Sequence, residues 1–204
     1  MLLNPDWTFW LWTDDDNREL IKQHYPHFLG VYDSYDVKMK RIDAARIFYL
    51  HRYGGIYLDL DFTCLKPFTK LALPSGVAVF SHQYPMHLVA KKSDAVANNF
   101  MATPPAHPLY GFLIRKLVLS ARKSLLYATG PNFLTHGIVA FITKGGCNVE
   151  VYMQPGIYRG HWSKTNNLPC GNGTDAQIDF CSQWGNANAS LLATFWTMTW
   201  KGVK

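Results

Sequence analysis

A chain of 204 residues, 48% hydrophobic and 15% aromatic, can bury one sizeable core, which excludes a disordered polymer and makes one domain over residues 1–204 the expectation. Twenty Lys and Arg against 14 Asp and Glu leave a net charge of +6, a bias toward anionic partners. The cations are scattered as singles and pairs and no nucleic-acid motif accompanies them, which argues against a nucleic-acid arm or a polybasic membrane tag.

In chain order, "WTFWLW" (7–12) reads as an aromatic strand, and "TDDDNRELIKQHYP" as a helix. Thr13 is placed to cap it, Asp14, Asp15 and Asp16 suit its positive start, and Pro26 ends it. From about Lys40 to Tyr53 the apolar residues lie nearly all round, the pattern of a helix covered on several sides, and Gly54 and Gly55 stop it. Asp43 and Arg46, three apart, share a face of that helix. "IYLDLDF" (56–62) alternates as a strand, with Ile56, Leu58, Leu60 and Phe62 on one side and Tyr57, Asp59 and Asp61 on the other.

Farther on, "GVAVF", "HLVA" and "DAVANNFMA" read as strands before the breaker run "TPPAHP". Tyr110, Leu113, Ile114, Leu117, Val118, Ala121 and Leu125 then trace one helix face, and Arg115, Lys116, Arg122 and Lys123 a solvated opposite side. Pro131 opens the helix "PNFLTHGIVAFITK", "NVEVYMQP" reads as a strand, and 155–190 is loop-rich. This alternation predicts an α/β domain with a mostly parallel, Rossmann-like sheet flanked by helices.

No apolar stretch approaches the ~18 to 20 residues that span a bilayer, and "MLLNPDWTF" lacks the pattern of a signal peptide, so the chain as written is expected to be soluble. Cys64, Cys147, Cys170 and Cys181 lack zinc-ligand spacing; Cys170 and Cys181 flank a Gly/Asn-rich loop and are readable either as a disulfide or as free thiols. "NGT" at Asn172 and "NAS" at Asn188 fit the glycosylation acceptor pattern, one match of which is expected by chance.

Asp59 and Asp61 carry the chemistry. Same-face neighbours on a strand sit about 6 to 7 Å apart, and two buried unpaired carboxylates would cost several kcal/mol, so they need solvent, basic partners or a cation. At a strand's C-terminal end they would lie in the crevice where α/β folds bind ligands. A hard divalent cation held by one or two carboxylates and a substrate's phosphates is the Mg²⁺ arrangement, which Mn²⁺ also accepts. The pair then serves as a clamp for a diphosphate.

The stretch "RIDAARIFYLHRYGGIYLDLDFTCLKPF" (41–68) resembles the DXD-containing sugar-binding region of the glycosyltransferases that include the initiating α-1,6-mannosyltransferase of fungal N-glycans and the mannosyl inositol phosphoceramide synthases. "LWTDDD", "YPHFLGVYDSY", "VANNFMATPPAHPLY" and "TGPNFL" have similar counterparts in the same order, so the resemblance covers roughly residues 8–140. It implies a GT-A fold, a nucleotide-sugar donor (GDP-mannose, or a UDP-hexose), Mn²⁺ or Mg²⁺, retention of anomeric configuration and a glycan or glycolipid acceptor. Carried over by position, Asp61 binds the metal directly, and Asp59 contacts the donor's ribose or sugar and helps hold the metal through water. Asp43 and Arg46 hydrogen-bond the donor sugar; the alternative is a helix-surface ion pair. Asn98 matches an asparagine near the donor or acceptor sugar, and an edge-strand amide is its alternative. Thr129, Gly130 and Pro131 are readable as a helix cap alone.

Two features depart from the resemblance. Relatives begin with a further strand, "PKIIHQ" followed by tryptophan, that helps enclose the base, and this chain starts after it; any membrane anchor would lie there too. Relatives carry a histidine in the C-terminal Trp-rich segment, where "FWTMTW" has none, which leaves His161 as a possible substitute. The expectation is a hexosyltransferase, mannose favoured, in the Golgi lumen or membrane if eukaryotic and otherwise cytoplasmic. The alternative is a non-catalytic sugar-nucleotide or glycan-binding relative.

Overall fold

The computed structural model describes residues 3–71, 73–82 and 96–152, together with the backbone of 158–160 and 192–194. The chain order is α1 (Asp14–His24), α2 (Leu29–Asp33), α3 (Lys38–Tyr53), β1 (Gly55–Leu58), β2 (Phe62–Cys64), β3 (Ala78–His82), β4 (Val96–Thr103), α4 (Pro108–Ser120), α5 (Leu125–Ala128), α6 (Pro131–Thr143), β5 (Val149–Tyr152), β6 (Tyr158–Gly160) and β7 (Leu192–Thr194). Thr13 starts α1 as expected: its hydroxyl accepts from the Asp16 amide at 3.2 Å while the Asp16 carboxylate accepts from the Thr13 amide at 2.9 Å.

The larger sheet has the order β1-β4-β3-β5 and the smaller one β2-β7-β6. The α/β class holds, but the larger sheet is mixed rather than mostly parallel. β4 is antiparallel to both β1 and β3, and β5 is parallel to β3. Antiparallel neighbours need no long helical crossover, unlike parallel ones, and β4 meets both of its neighbours in the antiparallel way.

Strand alternation divides the core in two. Ala78, Phe80 and Met101 face a helical layer with Ile47, Phe48, Leu113 and Leu134. Val79, Phe100 and Ala102 face the other way, with Ile56, Leu58, Phe62 and Phe68 packed beside them. Within the helical layer α3 packs on α1 and α4, and α6 packs on α4 and β4. Residues Leu125–Thr143 have a mean hydropathy of 1.2, high enough by composition for a membrane span. The stretch is nonetheless two helices, broken at Thr129 and Gly130, with Phe133, Leu134 and Ile138 of α6 buried in the core.

Two sequence expectations give way here. "WTFWLW" forms no strand: its backbone joins neither sheet, and its rings are held through side chains, Trp7 edge-on to Phe68 at 5.0 Å and Trp12 stacked on Tyr49 at 5.0 Å. The strand expected over 56–62 ends at Leu58. Asp59, Leu60 and Asp61 form a turn closed by the Phe62 amide donating to the Asp59 carbonyl at 3.2 Å, and Leu60, expected on the apolar side, is 87% exposed at the tip. The turn lets the chain leave the larger sheet and enter the smaller one. "HLVA", most of 155–190, Cys170, Cys181, Asn172, Asn188 and His161 lie outside the described residues.

Candidate functional site

α3 ends at Gly54, whose φ of 67° and ψ of −155° belong to a region glycine alone enters readily. A Cβ there would stand 2.5 Å from the Pro105 nitrogen. The close approach of Gly54 to Pro105 sets the angle at which β1 leaves the helix. β1 then runs beside β4 with Leu58 opposite Phe100, and the Asp59 amide donates to the Asn99 carbonyl at 3.1 Å. Asp59 is thereby fixed where the ladder stops.

Arg46 of α3 is the hub. Its guanidinium pairs with the Asp43 carboxylate at 2.9 Å and the Asp59 carboxylate at 3.3 Å, donates to the Asn98 carbonyl at 2.6 Å, and lies 4.6 Å from the centre of the Tyr57 ring. Asn98 donates its side-chain amide to Asp43 at 3.1 Å, and the Tyr57 hydroxyl makes a short hydrogen bond to the same Asp59 oxygen that Arg46 reaches. Four predicted residues, Asp43, Arg46, Asp59 and Asn98, therefore meet in one network drawn from a helix and two strands. Asp43 and Arg46 are each only 5% exposed, so this is no surface ion pair. Asp61, the fifth, is part-exposed in the turn, one residue past Leu60.

Burial pushes the Asp43 carboxyl up to about 6, and the Asp59 charge adds to the rise; Arg46, Asn98 and Thr129 pull against it. Burial also opposes the Arg46 charge, yet Tyr57, Asp43 and Asp59 outweigh it and raise its pKa. Tyr57 is held well above the usual phenol range, first by burial and then by Asp59, so it stays a hydrogen-bond donor. The network thus keeps one cation among two carboxylates and a phenol, leaving the region net acidic beside solvent.

A cleft of about 730 Å³ opens on the opposite face of β1. Trp7, Phe9 and Trp10 form one wall, Ile56, Leu58 and Phe62 the other, and Asp59 and Leu60 lie at its edge. An apolar, aromatic volume of that size with a carboxylate at its rim suits a flat ring joined to a charged group. Among the described residues no three His, Cys, Asp or Glu side chains converge as a preformed cation cage. One or two carboxylates, completed by phosphate oxygens and water, are enough for Mg²⁺ or Mn²⁺, so the part-exposed Asp59 and Asp61 fit such an ion in donor chemistry.

Tyr57 was legible on the carboxylate side of the alternation but had no assigned task; the structure gives it one, orienting Asp59. Thr129 is more than part of a cap: it is 2% exposed and stands against Asp43, while Gly130 and Pro131 do open α6. Its signal in the sequence, a threonine before Gly-Pro, is shared with ordinary caps.

Residues 1–78 match the family described as "Glycosyltransferase sugar-binding region containing DXD motif". The chain is 36% identical over 139 residues to inositol phosphoceramide mannosyltransferase 3 of Schizosaccharomyces pombe, covering 65% of this chain and 36% of that one. It is 34% identical over 142 residues to mannosyl phosphorylinositol ceramide synthase CSH1 of Saccharomyces cerevisiae, covering 65% and 34%. The chain thus spans about a third of the length of these curated relatives. Among solved structures it is similar to the PaToxG glycosyltransferase, with a TM-score of 0.45 and 22% identity over 60% of this chain and 42% of that one.

Proposed function

We propose that the chain forms the donor site of a retaining GT-A hexosyltransferase, which passes a hexose, mannose favoured, from a nucleotide-sugar to a glycan or glycolipid hydroxyl. One observation carries this reading: Asp43, Arg46 and Asn98 are locked together with Asp59 of the D-x-D turn, and Asp59 also lines a cleft with aromatic walls. The relatives' names, inositol phosphoceramide mannosyltransferase and mannosyl phosphorylinositol ceramide synthase, support mannose and an inositol phosphoceramide acceptor.

In this reading the cleft holds the nucleoside between Trp7, Phe9 and Ile56, and the D-x-D turn takes the diphosphate. Asp59 and Asp61 would hold a divalent ion there, which would supply neutralisation of the charge on the departing diphosphate. Asp43 and Asn98 accept from and donate to the sugar's hydroxyls, and Arg46 keeps their polar atoms aimed. Because these groups are fixed by the fold before the donor arrives, little reorganisation opposes the build-up of charge at the sugar's C1. Among the described residues none presents itself as a covalent nucleophile, so in this reading the acceptor hydroxyl bonds to C1 on the face the diphosphate vacates and its proton passes to the departing phosphate oxygen.

The test is a panel of GDP- and UDP-sugars assayed for transfer to inositol phosphoceramide and for donor hydrolysis, with Mn²⁺ and with a chelator. The reading expects metal-dependent turnover of GDP-mannose. Donor binding without any turnover would favour a sugar-nucleotide-binding relative, and the absence of both would refute the donor site.

A further inference from the structure

Between Ala95 and Val149 the chain has no Asp or Glu at all, and it carries Arg115, Lys116, Arg122, Lys123 and Lys144. Five cations without an anion fall in a segment that forms β4 and the helices α4 to α6, in a chain whose whole net charge is +6. The same layer exposes large apolar side chains. Leu119 is 82% exposed, Val118 49%, Leu126 46% and Tyr127 41%.

Val118 was expected on the buried side of α4. Spacing alone allowed it, since it lies four residues from Ile114, but the structure buries Leu113, Leu117 and Ser120 and turns Val118 outward. Arg115, Val118, Leu119 and Arg122 recur at i, i+3, i+4 and i+7, so they share one face running off the end of α4. The chain then folds back: the Ser120 hydroxyl donates to the Ala128 carbonyl at 2.7 Å, which ties α5 against the end of α4 and brings Leu126 and Tyr127 beside it. Apolar side chains and a tyrosine are thus interleaved with cations at the end of α4 and on α5.

We infer that this corner, the end of α4 with α5, is a docking surface for an anionic lipid bilayer. Charge selects the occupant. A protein groove would satisfy Leu119 and Val118 equally well, but a corner that sets Arg115, Arg122 and Lys123 among them, in a segment with no Asp or Glu, matches a sheet of negative headgroups above an apolar layer. Exposed leucines enter the headgroup boundary while the flanking Arg and Lys stay at its surface. Tyr127 has the amphipathic ring favoured at such boundaries. This inference does not depend on the glycosyltransferase reading, because none of its residues belongs to the donor site.

The experiment is flotation of the full chain with two kinds of vesicle, pure phosphatidylcholine and phosphatidylcholine containing phosphatidylserine or phosphatidylinositol. Binding is expected to the anionic vesicles only and to weaken as salt is raised. Leu119→Ser and the pair Arg122→Glu with Lys123→Glu should each lower the bound fraction at least tenfold, with circular dichroism and thermal melting unchanged because these side chains are exposed. Equal binding to both vesicles, no binding, or binding that survives both variants would overturn the inference. So would self-association at the same corner, seen as a dimer by sedimentation that Leu119→Ser dissolves.

Discussion

Replacing Arg46 by Met tests whether the network behind the D-x-D turn holds together as described. The substitution keeps an unbranched apolar stem and removes the cation that Asp43, Asp59 and the Asn98 carbonyl share. Breaking a buried pair from one side costs about 3 to 5 kcal/mol. Asp43 sets this figure, since Asp59 is part-exposed and water can take over from Arg46 there. With urea m-values of about 1 to 3 kcal/mol per molar, the midpoint should fall by at least about 1 M. The loss should also depend on pH. Asp43 titrates near 6 with Arg46 beside it, above the 3.8 of an ordinary aspartate, so the folded state binds the extra proton and stability declines as pH rises from about 4 to about 6. Without Arg46 the carboxyl moves higher still, so the decline should extend past pH 6 and the deficit against wild type should be largest near pH 8. Urea titrations at about pH 5 and pH 8 measure both effects. A deficit below about 1 kcal/mol, or one equal at the two pH values, would refute the reasoning.

Tyr57→Phe removes the hydroxyl that orients Asp59; about 1 kcal/mol of stability and a larger share of donor affinity should be lost, read by urea titration and calorimetry. The two glycines after α3 should respond differently. Gly54→Ala meets both a positive φ and the Pro105 backbone and should cost more than about 3 kcal/mol or prevent folding, whereas Gly55→Ala, with φ of 92° and open space around the new Cβ, should cost about 1 to 2 kcal/mol. Thermal melts of the pair separate the two causes.

The local code was readable wherever a short-range signal decided the outcome. The capping box at Thr13, the glycine stop at Gly54 and the proline start at Pro131 all stand where the sequence puts them. Partnership between distant segments was not readable. "WTFWLW" has a strand's composition, but a strand exists only with a hydrogen-bonding neighbour, and its rings found side-chain contacts instead. The alternation of "IYLDLDF" correctly put Tyr57 and Asp59 on one side, where the structure places Arg46, and it failed from Leu60 onward because a turn between two sheets breaks the period. Asp43 and Arg46 were legible as a pair three apart on a helix; their burial depended on Asn98, some fifty residues later, and no local pattern shows that.

The central claim is that the D-x-D turn binds a nucleotide-sugar through a divalent ion. Calorimetric titration of GDP-mannose and UDP-hexoses into the full chain, with Mn²⁺ and then with a chelator, measures it directly beside Asp61→Ala. Saturable binding that requires Mn²⁺ and is lost in a folded Asp61→Ala protein is the predicted result. Binding of equal strength without metal, or unchanged by that substitution, would contradict it.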